Sequence, residues 1–600
     1  MIPRPKVARV SGRRIVPLLV SLLAQLAGCD RPAPADPQPD PAAPIEAPAA
    51  EPVPPTPPAV DGPAADEPAG LVAEVPAAPA LAKPPINFGA IRPPLPVPAA
   101  AELTVHALAG FEVVAVYSLP DLGSPRLGYL RIGSRTMVTP KIDDRGTGCE
   151  NGFHALPSGG FACASKGLIV DPDKAPYMYM PPPPPRTDAP IPYDYGVVAA
   201  DGTPMWWRIP DAEEVMLAGQ RYRAVVAAQE AAAASATPKP ETRPKPKTES
   251  PAEPTTAPDV PATPEPTPLP GIEDLDTPPP LELTAEEKAE IAKREAAAKK
   301  RAEARKKEQA EKDRALARKR ARLPLNSQTP FMEAGFVVTL GDKIRSQGAQ
   351  WWKTTRGGFI PAGRTYRKQT RDFHGGAIPE AARLAFGFVM SETAAASARN
   401  DKGSLQWKRR LDHREFLAFS EEVEIGGRPY LVTPEGLYVR KGDLRLARPA
   451  IRPAEVMPWE RWVDVDLELQ MLVAYEGDMP VYATLVSSGK RGDAEESFLT
   501  PTGKFRITAK HISSSMDGNT ASDGRYSIQD VPWSMFFHGN YALHGAFWHS
   551  KFGERRSHGC VNLGPSDARW LFYWTTPFVP EGWHGVNAHE GAPGSMVVVH

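Results

Sequence analysis

Proline is the feature that most limits what this chain can fold into. The 600-residue sequence contains 71 prolines, and many of them lie in two stretches, 29–101 and 228–283, that have neither a helical nor a strand period. Proline fixes φ and lacks the backbone N–H that helices and sheets use. We therefore predict that both stretches are disordered Pro-rich linkers, the first also rich in alanine. The globular domains must then be built from the remaining segments.

The N-terminus has the parts of an export signal. Basic residues precede an apolar run at 15–27 that is too short to span a bilayer comfortably. The run ends in the sequence LAGC, which resembles a bacterial lipobox and implies that residues 1–28 are a lipoprotein signal peptide and that Cys29 is acylated. A plain secretory signal, or a twin-arginine signal at Arg13-Arg14, is the alternative. We expect an exported lipoprotein that is anchored in a membrane and faces the periplasm or cell wall.

The other cysteines divide into a pair and a single residue. Export implies an oxidising compartment, and Cys149 and Cys163 lie close together in one predicted domain, so we predict a disulfide between them. Cys560 is then left as a candidate reactive thiol. The formal net charge of -1 gives the chain no bias towards nucleic acid, and we expect no nucleic-acid partner.

Short runs of strand-forming residues, broken by glycine and proline, indicate small β modules in two segments. The first covers 102–227, where the stretch VYSLPDLGSPRLGYL resembles bacterial SH3-like domains. The second covers 330–453, repeats the turn-and-strand pattern, and is predicted as a divergent SH3-like module. An unrelated β module is the alternative for the first segment. Such modules could contact cell-wall proteins.

A charged helix is predicted over 284–323. The segment is rich in Ala, Lys, Arg and Glu and contains neither glycine nor proline. The sequence TAEE offers a capping box at its start. Few apolar residues line any face, so we expect a solvated spacer of about 60 Å and no coiled coil. Contact with anionic wall polymer or lipid headgroups is the alternative.

The chemistry is concentrated in the C-terminal segment, 457–600. Val463 and Val465 alternate with aspartates, as in a half-buried strand, and a β-hairpin follows. Further on, Cys560 lies just before a predicted helix start at GPSD. A thiol needs a base to become a nucleophile, and His544 and His558 are the two candidates. Sequence spacing alone does not decide between them.

The sequence LHG followed by SHGCVNL resembles the signature of the YkuD-type L,D-transpeptidase catalytic domain, over roughly Trp462 to His600. This resemblance implies a β-rich catalytic fold, so the whole chain is predicted to be mainly β. It also implies a role for each residue of the motif. These roles are Cys560 as nucleophile, His544 as proton donor and acceptor, the Gly545 carbonyl as the group that orients His544, His558 and Gly559 with Cys560 as the oxyanion loop, and Ser557 and Asn562 as its supports. Many members have arginine where this chain has Asn562, and asparagine is also a familiar variant.

Other residues near the motif are open to two interpretations. Tyr541, Phe547 and Trp548 are predicted either to shape a substrate groove or to pack in the core. An inert buried cysteine or a zinc site with His549 as an extra ligand are further alternatives for the Cys/His cluster. We treat the remaining histidines as ordinary surface or groove residues; these are His538, His549, His584 and His589. No metal or organic cofactor is expected.

The resemblance implies an enzyme that acts on peptidoglycan stem peptides. A thioester on Cys560 would be attacked by an amine of a neighbouring stem, which gives a 3→3 cross-link. Water as acceptor would make the chain an L,D-carboxypeptidase, and an amine on another protein would make it a protein-to-peptidoglycan ligase. A non-catalytic peptidoglycan-binding scaffold is the alternative of another class.

Overall fold

The computed structural model describes residues 97–142, 148–235, 284–327, 329–369, 373–492, 497–518 and 526–600. The predicted signal peptide, Cys29 and most of both predicted linkers lie outside these ranges. Among the described residues, no helix combines the length and apolarity needed to cross a membrane. The architecture is mainly β with one long charged helix, which confirms the predicted fold class.

Seven strands between residues 105 and 171 form the first β module. They are β1 (Val105–Ala109), β2 (Val113–Tyr117), β3 (Arg126–Arg131), β4 (Arg135–Val138), β5 (Phe153–Ala155), β6 (Phe161–Cys163) and β7 (Leu168–Asp171). β1 lies between β4 and β7, and β2 lies between β3 and β6, all antiparallel. The predicted disulfide is present, with the Cys149 and Cys163 sulfurs 2.04 Å apart.

The second β module combines strands from two distant parts of the chain. These are β8 (Asp194–Val198), β9 (Thr203–Pro204), β10 (Phe331–Met332), β11 (Val337–Ser346), β12 (Ala349–Thr354), β13 (Phe359–Pro361) and β14 (Thr365–Arg367). β8 pairs with β11 and β14, and β9 pairs with β10. The sequence prediction placed β8 and β9 in the segment 102–227. The strand pairing differs because turn residues mark where strands end but not which strands join.

Two helices are inserted between β9 and β10. They are α1 (Ala212–Ser235), which was not predicted, and α2 (Ala285–Ala321), which confirms the predicted charged helix. The start of α1 packs on the end of α2, where Leu217 and Leu316 belong to one apolar cluster. The described side chains in the rest of α2 are mostly exposed.

The third β module covers 385–446 and contains two small sheets. Its strands are β16 (Ala385–Val389), β17 (Ala395–Arg399), β18 (Leu405–Arg410), β19 (Phe416–Phe419), β20 (Glu421–Ile425), β21 (Arg428–Val432), β22 (Tyr438–Arg440) and β23 (Leu444–Leu446). The predicted single module at 330–453 therefore contains parts of two modules. A short strand between them, β15 (Gly376–Ala377), pairs with the C-terminal domain.

The C-terminal domain has ten strands and one helix. They are β24 (Arg461–Asp466), β25 (Met471–Glu476), β26 (Met479–Leu485), β27 (Gly503–Arg506), β28 (Ala509–Gly518), β29 (Tyr526–His538), β30 (Tyr541–Gly545), β31 (Val561–Leu563), α3 (Pro565–Trp574), β32 (Gly585–Asn587) and β33 (Met596–Val599). The predicted hairpin is β25–β26, and β24 and β33 pair in parallel. The predicted helix start is confirmed, with Pro565 at the first position of α3.

β24 is buried on both faces, so the prediction of a half-buried strand is wrong. Asp464 and Asp466 are only 5% and 4% exposed. Asp464 lies 3.1 Å from the C-terminal His600 Nε2, and Asp466 accepts hydrogen bonds from Glu468 N and Leu469 N. The aspartates tolerate burial because each finds hydrogen-bond partners.

The first two β modules and the C-terminal domain meet at a buried ion pair. Arg131 of β3 donates two hydrogen bonds to Asp530 of β29, at 2.7 and 2.9 Å. Thr339 and Thr355 of the second module donate to the same carboxylate. β3 also pairs with β32, and β11 pairs with β29. The accessory modules are thus continuous with the sheet that leads to the candidate site.

Candidate active site

Cys560 lies at the end of a tight turn that leads into β31. β31 pairs in parallel with β30, with Leu543 opposite Val561 and His544 opposite Asn562. Extending this register by one residue brings Cys560 beside Ala542, whose backbone interacts with the sulfur. Because side chains two residues apart share a strand face, Cys560 lies on the same side as His544. The predicted strand–loop–strand connection therefore places the thiol and this histidine on one face of neighbouring strands.

His544 is buried and oriented by its own neighbour. The residue is 2% exposed, and its Nδ1 lies 3.3 Å from the Gly545 carbonyl. Because a carbonyl can only accept, Nδ1 must carry the proton and Nε2 must present a lone pair. This contact is the one that the motif resemblance implied for Gly545.

The thiol and the imidazole are both neutral near pH 7. Cys560 keeps some exposed surface, while its sulfur is largely surrounded by protein atoms, and this burial raises the pKa of Cys560 to about 11. Burial likewise lowers the pKa of His544 to about 4, against the opposing effect of the Gly545 carbonyl. The resting site therefore resembles a thiol with an adjacent general base more than a preformed thiolate–imidazolium pair.

Gly559 is required by the shape of the turn. Its φ is +119°, a region that favours glycine, and a Cβ at this position would lie 2.4 Å from Cε1 of Tyr541. Tyr541 is half-buried and packs against the domain core. The structure thus places Tyr541 beneath the turn, as a support for Gly559.

Ser557 ties the turn together. Its Oγ accepts a hydrogen bond from Gly559 N at 3.1 Å and donates to the Cys560 carbonyl. The Gly559 N–H is therefore engaged in the resting site, which differs from its predicted part in an oxyanion hole. Ser557 N also donates to Ser488 O at 3.0 Å and fixes the turn to the neighbouring segment.

Thr500 is a site residue that sequence reasoning missed. It is 3% exposed, and its Oγ1 donates to the Gly559 carbonyl and accepts from Gly489 N, both at 2.8 Å. Its place in the sequence TPTGKF does not by itself indicate this contact, which reaches a residue 59 positions further along the chain. A buried threonine hydroxyl with two backbone partners holds the carbonyl side of the turn.

His558 points into an aromatic cluster. Its ring lies 4.7 Å from both Tyr526 and Phe498, stacked on the first and edge-on to the second. Of the two candidate bases, His544 is the one carried by the strand that pairs beside Cys560. The geometry favours His544 as the base and His558 as a wall of the site.

Asn562 lies in β31, and Trp548 lies in the loop that follows β30. Asn562 is 3% exposed, and its side-chain amide lies 3.0 Å from His549 Nε2. His549 Nδ1 accepts from Lys551 N at 3.3 Å. Trp548 is half-buried with its ring 5.7 Å from that of His544. His549 was predicted as an ordinary residue, and the structure gives it a specific contact with Asn562.

The other histidines differ in their burial. His538 is exposed and His589 is partly exposed, as expected. His584 is 3% exposed and lies 3.0 Å from Ser513 Oγ in the cluster around Asp530, so its prediction as a surface or groove residue is wrong. Phe547 is 1% exposed and packs in the core. Among the described residues, no group of three or more His, Cys, Asp or Glu is placed to hold a metal ion.

The fold and geometry define a cysteine–histidine site on adjacent parallel strands of a β-rich domain. Comparison with known families gives this domain a name. Residues 460–599 match the model of the L,D-transpeptidase catalytic domain, YkuD, so this segment is an L,D-transpeptidase catalytic domain. A Bacillus subtilis (strain 168) protein that carries the name of an L,D-transpeptidase, YciB, is 25% identical over 121 residues. The match covers 18% of this chain and 59% of that protein.

Solved structures of L,D-transpeptidases are also similar to part of the chain. The Xylanimonas cellulosilytica structure is 23% identical, with 25% of this chain and 65% of that chain covered and a TM-score of 0.18. The Enterococcus faecium catalytic domain is 22% identical, with 24% and 98% covered and a TM-score of 0.18.

Proposed function

We propose that the protein is a peptidoglycan L,D-transpeptidase that forms 3→3 cross-links between stem peptides through a thioester on Cys560. The observation that carries the proposal is the pairing of β30 with β31, which brings the Cys560 thiol to the same strand face as a neutral His544. The match of residues 460–599 to the L,D-transpeptidase catalytic domain supports the same chemistry.

The first half of the reaction forms the acyl-enzyme. His544 Nε2 takes the thiol proton as the Cys560 sulfur attacks the carbonyl between the third stem residue and the terminal D-alanine. Backbone N–H groups of the turn, Cys560 among them, stabilise the oxyanion. The imidazolium then protonates the leaving amine, so D-alanine departs and a thioester remains.

The second half transfers the acyl group. An amine of a neighbouring stem attacks the thioester and loses a proton to His544, and the thiol is regenerated. Water as acceptor would release a tripeptide, and an amine on a protein would anchor that protein to the wall. All three outcomes use the same catalytic residues, so the acceptor is decided outside the Cys560–His544 pair.

The location of the protein belongs to the proposal as well. The LAGC sequence supports export and acylation at Cys29, which would tether the chain to a membrane. The resemblance of the first module to SH3-like domains supports contacts with cell-wall components. Cleavage and acylation are testable by mass spectrometry of the N-terminal peptide from the membrane fraction.

The test is to incubate the full chain with a disaccharide-tetrapeptide and to follow intact mass. We expect a Cys560 adduct, followed by a cross-linked dimer, and we expect neither product with Cys560→Ala. Adduct with only tripeptide released indicates the carboxypeptidase reaction. Binding of the tetrapeptide with neither adduct nor product would overturn the proposed enzyme function and would favour the non-catalytic peptidoglycan-binding scaffold.

A further inference from the structure

The connection between His544 and Cys560 is held by residues from outside the catalytic domain. The 546–556 loop follows β30 and returns to the turn at Ser557. On one side, Phe547 stacks on Tyr195 of the second β module, with ring centroids 3.8 Å apart. On the other side, two arginines of the third β module reach the loop backbone.

Arg414 is the first of these arginines. Its Nη1 donates to the Ser550 carbonyl, and its Nη2 lies 4.0 Å from Glu554. Arg414 has a φ of +66°, which is uncommon for a residue with a side chain. Its Nε is buried without a hydrogen-bond partner among the described atoms. The left-handed backbone of Arg414 and its unpaired Nε each cost free energy. Other contacts in the fold must therefore hold Arg414 in this position.

Arg445 is the second. Its Nη1 donates to the carbonyls of Leu469 and Gly553, at 3.1 and 3.0 Å. Burial and the charge of Arg414 lower the pKa of Arg445. Two cations are thus brought together against one loop, and the loop carbonyls and Glu554 offset their repulsion.

Hydrogen bonds lead from this loop to the catalytic strands. Lys551 N donates to His549 Nδ1 at 3.3 Å, and Lys551 O accepts from Ser487 Oγ at 2.8 Å. A neutral imidazole that accepts at Nδ1 carries its proton on Nε2, so His549 Nε2 must donate to Asn562. The acceptor on Asn562 must then be the oxygen of its side-chain amide, so this oxygen faces His549. Asn562 pairs directly opposite His544.

We propose that Arg414 is a positioning residue of the active site, which acts from the third β module by holding the 546–556 loop so that His549 fixes Asn562 beside His544. The catalytic centre is then complete only when the accessory module is docked. The proposal deepens the transpeptidase assignment and rests on it for the reaction that is measured.

The test compares Arg414→Ala and Arg414→Lys in the full chain. Burial is the main cause of the low pKa of His549, and the charges of Arg556 and Arg414 lower it further. Arg414→Ala removes the hydrogen bond to the Ser550 carbonyl and one of those charges. We expect Cys560 acylation by the tetrapeptide to fall about ten- to a hundredfold, with a smaller change in KM. We expect the pKa of His549, measured by NMR, to rise. Arg414→Lys should keep that pKa low and restore part of the rate.

Arg440→Ala is the matched control, because Arg440 is an exposed arginine on β22 of the same module. It should change neither the rate nor the titration of His549. If Arg414→Ala does not fold, Arg445→Ala is tested in its place. It should also lower the acylation rate, because Arg445 donates to the Gly553 carbonyl of the same loop. Unchanged acylation and an unchanged His549 titration in Arg414→Ala overturn the inference. Absence of acylation in the unaltered chain overturns the proposed function, and the His549 titration still decides the role of Arg414.

Discussion

At the scale of single residues, the main property of the site is that Cys560 is hard to ionise. Its surroundings raise its pKa to about 11, and His544, with a pKa lowered to about 4, is free to accept a proton. For the reaction to proceed, the thiol proton of Cys560 must pass to His544 as the sulfur attacks the substrate. A thiol of this kind is protected from adventitious electrophiles, because the thiolate is the reactive form.

Alkylation of Cys560 should therefore be slow at neutral pH. A pKa raised by about two units from that of a free thiol reduces the thiolate fraction about a hundredfold, so the rate with iodoacetamide should keep rising with pH towards about 11. The measurement is the pH dependence of alkylation in the folded chain, with the denatured chain as reference. A midpoint below pH 8 would mean that Cys560 and His544 form an ion pair.

At the scale of elements, the turn 557–560 sets the position of the nucleophile. Ser557 and Thr500 hold its two sides, and Gly559 supplies the left-handed backbone between them. β30 and β31 then fix the distance from this turn to His544. Because the position of the Cys560 sulfur depends on the backbone of this turn, small changes in the turn should have large effects on acylation.

Gly559→Ala should abolish acylation of Cys560. The added Cβ would meet the Tyr541 ring at 2.4 Å, and the φ of +119° disfavours alanine. Gly582→Ala is the control, since Gly582 has a φ of +81° with nothing within 4 Å of its added Cβ. Intact mass after incubation with the tetrapeptide measures the outcome. Gly559→Ala with the acylation rate of Gly582→Ala would show that the turn tolerates a side chain.

Local pattern predicted the β25–β26 hairpin and the start of α3 in the catalytic domain, but it did not predict which strands pair. In the first module, the stretch VYSLPDLGSPRLGYL corresponds to the end of β2 and most of β3, and in the catalytic domain GPSD corresponds to the start of α3. The assignment of β8 to the second module depends on contacts across more than a hundred residues, which periodicity does not contain. The contact of His549 with Asn562 was missed because it joins the loop after β30 to β31, and periodicity does not show which residues of a loop meet a strand.

At the scale of the whole molecule, buried charge joins the modules to the catalytic domain. Burial alone would raise the pKa of Asp530, but the charge and hydrogen bonds of Arg131 hold it well below its usual range. Arg131 is itself only 6% exposed. A buried pair of this kind contributes little as a pair, yet loss of one partner leaves an uncompensated charge.

Arg131→Met should destabilise the full chain by about 3–5 kcal/mol, measured by denaturant unfolding. Arg126→Met, on the same strand at an exposed position, is the control and should have a small effect. The double variant Arg131→Met with Asp530→Asn should recover part of the loss, because the buried negative charge is removed as well. Equal stability of the two arginine variants would mean that the pair does not hold the modules together.

The pairing of β3 with β32 also makes folding of the first module depend on residues far along the chain. Arg131 and His584, which lie 3.3 Å apart, are separated by 453 residues. One edge of β3 therefore has no strand partner, and Arg131 has no carboxylate partner, until the catalytic domain folds beside the first module. Long-range pairing of this kind folds slowly, and exposed edges invite aggregation. Folding of the first module is therefore coupled to folding of the catalytic domain, although the two are far apart in the sequence.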